Sequence, residues 1–289
     1  MRITRRALAP MALAAAAFPA RAALPPWIDA HTHAFVRGLK LAVDARYVPT
    51  YDASWEALLK LAEANRIGRT VLLQPSFLGY DNSYLFGALK AEPNRFRGVP
   101  WISPSIETRP DEWEEMARIG VRGLRFPILG LPTPQWSAYH EMLGEALKRD
   151  WPIHLYVESK RLPEMLPFLL DSGHKVVIPH YGMFDRTLGP ARDPGFKTLL
   201  ESARTGRIFV VMCGAYRVGP ERARMAAPML LDAFGPERLM WGSDWPHTDT
   251  DLNRVTTYPI TLRTFEDWVP NEAARRTILV DTPARLYGF

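Results

Sequence analysis

The amino-acid sequence predicts a single-domain α/β fold, a (β/α)8 barrel of the TIM-barrel type, on three observations. The length of 289 residues suits one such barrel. Short apolar runs alternate strictly with longer amphipathic stretches over most of the chain. The polar residues capable of chemistry fall at the C-terminal ends of the apolar runs, which is where this fold keeps its active sites.

The first element stands outside the barrel. Thr4-Arg5-Arg6 precedes an Ala-rich apolar stretch over 7–18, and Ala20-Arg21-Ala22 supplies small residues at the two positions a signal peptidase reads. Residues 1–22 therefore read as a signal peptide of twin-arginine type, residues 23–289 as the barrel, and the protein as exported to the periplasm. No apolar run reaches the roughly 20 residues that a bilayer span needs, so nothing beyond export points to a membrane. Four arginines lie in the signal. Without them the formal charge of +5 falls to about +1. No basic run or basic–aromatic interleaving remains, which argues against nucleic acid as a partner.

The barrel elements follow in order. Strands are predicted at 27–33, 70–76, 97–102, 123–128, 152–157, 175–180, 207–212 and 238–244, and helices at 54–66, 83–91, 110–119, 136–149, 162–171, 196–205, 220–234 and 271–280. Strict βα alternation implies parallel strands joined by crossover helices, and eight units close a barrel. Asp52 or Ser54 can cap the first helix, with Gly68 just past its end. Gly120, Gly173 and Gly206 each follow a helical stretch, where a left-handed residue is wanted. Hydrophobic residues at 47% and charged residues at 23% can build a core without disulfides. The single cysteine, Cys213, ends the apolar run 208–212 and reads as buried packing.

The strand ends gather the candidate catalytic set. His31 and His33 close the first strand. Their spacing of two puts both imidazoles on one face. His180 ends the sixth strand, and Asp244 ends the eighth within Trp241-Gly242-Ser243-Asp244-Trp245-Pro246-His247. Three imidazoles and one carboxylate at one mouth suit acid–base or metal chemistry. His140, His174 and His247 read as structural.

His-x-His on the first strand, His180 in Pro-His-Tyr-Gly and the strand-eight segment resemble the amidohydrolase superfamily, and within it the 2-pyrone-4,6-dicarboxylate hydrolase-like lactonases. The resemblance implies a hydrolase that opens a small carboxylated lactone. It implies Asp244 as the base that activates water, and His31, His33 and His180 as the groups that polarise the carbonyl. It also implies Tyr47 (in Ala45-Arg46-Tyr47-Val48-Pro49), Ser76, Arg125, Tyr156 and Arg217 as substrate-binding residues, the guanidinium forks matching carboxylates. There are two departures. A further arginine, expected six residues after Arg125, is Leu131 here, which implies a substrate with one carboxylate or an apolar group in place of the second. His154 replaces an apolar residue and reads as a core histidine. The resemblance favours catalysis without a cofactor. The alternative is one divalent metal, zinc, on His31, His33, His180 and Asp244, with His154 as a further option, and with it a metal-dependent decarboxylase or related activity. A non-catalytic periplasmic binder of small acids is the remaining alternative, and a binder has no need of a base.

Overall fold

The computed structural model describes residues 26–105, 108–248 and 256–289. The predicted signal, 1–22, lies outside the described residues.

Eight parallel strands form in the predicted order: β1 (Trp27–Thr32), β2 (Ile67–Leu73), β3 (Phe96–Val99), β4 (Leu124–Pro127), β5 (Ile153–Tyr156), β6 (Val176–Ile178), β7 (Ile208–Met212) and β8 (Leu239–Trp241). Ladder pairing runs β1-β2-β3 and β4-β5-β6-β7-β8. Looser bonds close the two remaining seams. Between β3 and β4, Gly98 N–H donates to Gly120 O at 3.0 Å and Arg125 N–H to Pro100 O at 2.8 Å. Between β8 and β1, Asp244 N–H donates to His31 O at 3.0 Å and His33 N–H to Trp245 O at 2.8 Å. The catalytic candidates of β1 and the strand-eight segment thus sit on a closing seam of the barrel.

The strands are buried on both faces, as parallel strands between two layers must be. Outward residues such as Leu72, Phe126, Leu155, Ile178 and Trp241 pack under the helices. Inward residues such as Ala30, Val71, Val99, Val177, Val211 and Met240 fill the barrel. Each fully buried aliphatic side chain contributes roughly 1.5–3 kcal/mol, so this double core can hold the fold without a disulfide.

The helices are α1 (Trp55–Ala64), α2 (Ser83–Ala91), α3 (Pro110–Ile119), α4 (His140–Lys148), α5 (Leu162–Asp171), α6 (Pro194–Ser202), the one-turn α7 (Ala215–Val218), α8 (Pro220–Phe234), α9 (Tyr258–Trp268), α10 (Glu272–Arg276) and α11 (Thr282–Tyr287). Ser54 caps α1, its Oγ accepting from Ala57 N–H. Asp52 bonds Arg37 instead. Gly120, at φ 106°, ends α3 as expected. Gly68 belongs to β2, and the positive φ after α1 falls on Arg66. The helix that follows β8 is α9, which the sequence reading left out. Its Ile, Thr, Tyr and Phe residues carry little helix propensity, and packing of Tyr258, Leu262 and Phe265 decides the matter. The predicted terminal helix, 271–280, is α10 running into a π turn, and α11 continues it. Leu286 and Tyr287 of α11 enter the barrel core. Phe289 lies beneath Arg69 and Arg97 at the strands' N-terminal ends, so this end is plugged and the other is left for chemistry.

Candidate active site

The C-terminal mouth brings the predicted groups together. A cleft of about 140 Å³ is lined by His33, Arg46, Tyr47, Ser76, Arg125, Leu129, Tyr156, His180, Arg217 and Thr248, among others. A cavity of about 150 Å³ holds a benzene ring, so a small ring compound fits. His31 and Asp244 lie just beneath this lining, both fully buried.

Glycines make the approach possible. A Cβ on Gly214 would lie 2.7 Å from His180 Nδ1 and 2.8 Å from Asp244 Oδ2, and one on Gly242 would lie 2.6 Å from His31 Cβ. Asp244 and His180 themselves have φ of 58° and 54°, a left-handed backbone that costs non-glycine residues on the order of 1–3 kcal/mol and is met most often at functional sites. Buried Asp29 helps hold that geometry. Its Oδ1 accepts from His31 N–H at 3.2 Å and Ser243 N–H at 2.9 Å, tying β1 to the strand-eight segment.

The two oxygens of Asp244 are treated differently. Oδ2 accepts from Arg217 Nε at 2.8 Å and from the Tyr216 hydroxyl. Oδ1 has no hydrogen-bond donor among the described residues and faces His31 Nε2 and His33 Nε2, each at 3.7 Å. Burial alone would raise the Asp244 carboxyl. The Arg217 guanidinium against it outweighs burial and holds the group well below the ordinary carboxylate range, so it is ionised at neutral pH.

The three imidazoles are neutral there. Burial, and then the charge of Arg125, bring His33 to about 3; burial brings His180 to about 3 and His31 well below its usual value. Their hydrogen-bond partners then separate their roles. His33 Nδ1 lies 2.8 Å from Leu73 O, which can only accept, so Nδ1 carries the proton and Nε2 offers a lone pair. His33, expected with His31 and His180 to polarise a substrate carbonyl, reaches the cleft lining with Nε2 as an acceptor in this tautomer. His180 Nδ1 lies 3.2 Å from Cys213 Sγ, a thiol that burial keeps protonated. With the thiol as donor, the His180 proton moves to Nε2, on a ring that lines the cleft. Cys213 is therefore more than the packing residue expected.

Arg217, expected to clamp substrate, reaches the cleft lining with its Nε on Asp244 and its Nη2 on Thr248 O at 3.2 Å. Arg125 is buried in the lining, donating through Nη1 to Gln74 O, with Nε lacking a partner among the described residues. Burial lowers it to about 10, so it stays charged. Tyr47, Ser76 and Tyr156 reach the lining as expected. His154 does not reach it. Its Nε2 lies 3.1 Å from the Tyr287 hydroxyl in the barrel core, away from both metal-capable clusters. Sequence reasoning missed Tyr216, Asp29 and Gly214. The spacing from Arg217 could have flagged Tyr216.

Among the described residues, two clusters could hold a metal ion: His31, His33 and Asp244, and His31, His180 and Cys213. The first fits better. Asp244 Oδ1 and both nitrogens of His31 lack hydrogen-bond partners among the described residues, and the 3.7 Å separations are close to those between ligands of one ion at about 2.1 Å.

Residues 28–289 match the family described as Amidohydrolase. The chain belongs to the amidohydrolase family. This amidohydrolase is 30% identical over 283 residues to 4-sulfomuconolactone hydrolase of Hydrogenophaga intermedia, covering 93% of its own length and 91% of the relative's. It is 28% identical to 2-pyrone-4,6-dicarboxylate hydrolase of Comamonas testosteroni, with 90% and 89% covered. Among solved structures, a probable 2-pyrone-4,6-dicarboxylic acid hydrolase of Acinetobacter baumannii, with citric acid bound, superposes with a TM-score of 0.85 at 28% identity, covering 91% of this amidohydrolase and 100% of that chain.

Proposed function

We propose that this amidohydrolase hydrolyses a small carboxylated lactone, with water attacking the ring carbonyl and the ring C–O bond breaking to give an open-chain acid. One observation carries the reading. An ionised carboxylate oxygen, Asp244 Oδ1, is left without a donor beneath a ring-sized cleft lined by guanidinium, phenol and imidazole groups. The relatives named as lactone hydrolases support the substrate class.

In this mechanism Arg125 binds the substrate carboxylate from the cleft wall, with Tyr47, Ser76 and Tyr156 fixing the ring, and Arg217 offers its remaining Nη1. His180 Nε2–H polarises the carbonyl, and such a donor contributes on the order of 3–4 kcal/mol when the oxyanion forms. His33 Nε2 accepts a hydrogen bond from the attacking water, and Asp244 Oδ1 takes its proton, later returned to the departing ring oxygen. Arg217 and Tyr216 hold the opposite carboxylate oxygen so that Oδ1 faces the reaction.

We read the chemistry as metal-free, because Arg217 against Asp244 and Arg125 near His33 both oppose a cation at this point. The His31–His33–Asp244 cluster favours a second reading: these three residues would hold one divalent ion, which would polarise the carbonyl or acidify water. A metal-dependent decarboxylase would use the same cluster. The test is a screen of carboxylated lactones, with metal content measured on protein purified without chelator. Ring opening that survives chelation supports the first reading. Activity restored only by zinc overturns it, and carbon dioxide release in place of ring opening overturns the hydrolase. Export to the periplasm is a further proposal resting on residues 1–22, and fractionation of expressing cells tests it.

A further inference from the structure

Three guanidinium groups line the cleft, and they are not equally available. Arg217 is engaged by Asp244 and Thr248. Arg125 is buried and fixed through Gln74 O. Arg46 is exposed at the rim, on the loop that follows β1, and no hydrogen bond or ion pair takes up its guanidinium among the described residues. Its Nη1 lies 3.4 Å from the point where a Cβ on Gly130 would sit. The group thus packs over the loop that follows β4, and the missing side chain at Gly130 gives it room. Burial pushes the Tyr156 phenol on the same lining up, and the positive charges of Arg217, Arg125 and Arg46 oppose that rise.

The charge balance of the site is one-sided. Three arginines belong to the lining, and among the described residues the carboxylate ion-paired with any of them is that of Asp244, on Arg217. Two positive charges remain uncompensated. A monoanionic substrate neutralises one of them, and a dianion neutralises both.

We propose that Arg46 is a second anion clamp and sets specificity: it holds, at the rim, a second carboxylate or a sulfonate of a substrate whose first carboxylate is bound by Arg125 at the cleft wall. This rests on reading the cleft as a lactone pocket, and it sharpens that reading to dianionic lactones. Leu131 implied from sequence that a clamp had been lost. The fold returns a cation to the neighbouring residue, Gly130, from a different loop.

The test separates binding from turnover. Isophthalate is a planar six-membered ring with two carboxylates and is no substrate, and benzoate is its monoanionic counterpart. Calorimetry gives the Kd of each for the wild-type chain, Arg46→Met and Arg46→Lys. The wild type is expected to prefer isophthalate by roughly tenfold or more, the worth of one charge-assisted pair. Arg46→Met should bring that ratio to within about twofold of one, and Arg46→Lys should retain part of it, because lysine keeps the charge and loses the fork. Arg46 is exposed and supports no described hydrogen bond, so the variants fold. A ratio left unchanged by Arg46→Met, or a wild type without preference, overturns the proposal. A wild type that shows the Arg46-dependent preference and opens no lactone upholds the clamp and overturns the hydrolase instead.

Discussion

Buried histidines occupy two levels of this barrel, and only one level is built for chemistry. His154 on β5 and His33 and His180 at the mouth are all buried and all brought to about 3. Burial and shifted titration therefore do not distinguish them. Their partners do. His154 Nε2 meets the Tyr287 hydroxyl inside a packed core. His33 Nε2 faces a carboxylate oxygen that has no donor of its own, and His180 borders open space. A polar group left unsatisfied beside a cleft costs stability and can act on a substrate; one satisfied in a core mainly holds structure.

Four substitutions probe that contrast. The largest expected effect is that of Asp244→Asn, which removes the proton acceptor: kcat/KM for the lactone should fall roughly 10³-fold while circular dichroism stays that of the wild type. Retention of near wild-type rates would end the assignment of the base. Gly214→Ala places a methyl against His180 and Asp244 at a left-handed backbone position. A displacement of that kind should lower kcat about 10²-fold, in initial-rate measurements, with only a modest loss in Tm. Tyr216→Phe removes one of the two bonds that hold Asp244 Oδ2. It should lower kcat roughly tenfold with KM little changed, since the hydroxyl touches the base and not the substrate in this mechanism. A change confined to KM would place Tyr216 on the substrate instead.

His154→Leu should have the smallest effect on turnover, within a few-fold, and its consequence should appear in stability against pH. The folded protein holds this imidazole at about 3 against 6.5 ordinarily, so the unfolded chain binds the extra proton between those values. Stability that is fully present above pH 6.5 is then lost as pH falls toward 3, by about 5 kcal/mol for this one group. Urea unfolding across that range should show a shallower acid loss for the leucine variant. An identical slope would mean that His154 titrates normally, and a collapse of kcat would move it into the active site.

Much of the architecture was readable because a buried parallel strand must be apolar along its length and a crossover helix must be amphipathic. Those two patterns alternate plainly from Trp27 to Phe234. The exception, α9, is rich in Thr, Ile, Tyr and Phe, whose local preference is not helical; its helix exists because Tyr258, Leu262 and Phe265 find the barrel wall. The mouth was readable to the level of residue type and place, since strand polarity tells which end of each run opens outward. Cys213 could have been placed too, as it continues the inward alternation of Phe209 and Val211 toward His180.

The sequence by itself determined the parallel barrel, the family pattern and the gathering of His31, His33, His180 and Asp244 at one end, because periodicity and strand direction are local properties of the chain. Only the tertiary structure decided what each group is bonded to: Arg217 to Asp244, the His33 proton toward Leu73, His154 to Tyr287, and Arg46 over Gly130. Those pairings join residues far apart along the chain, and a partner brought by closure of the barrel leaves no mark in the spacing of its own segment. Proton positions and free charges follow from the partners, and so the division of labour within the site was settled only when the chain closed on itself.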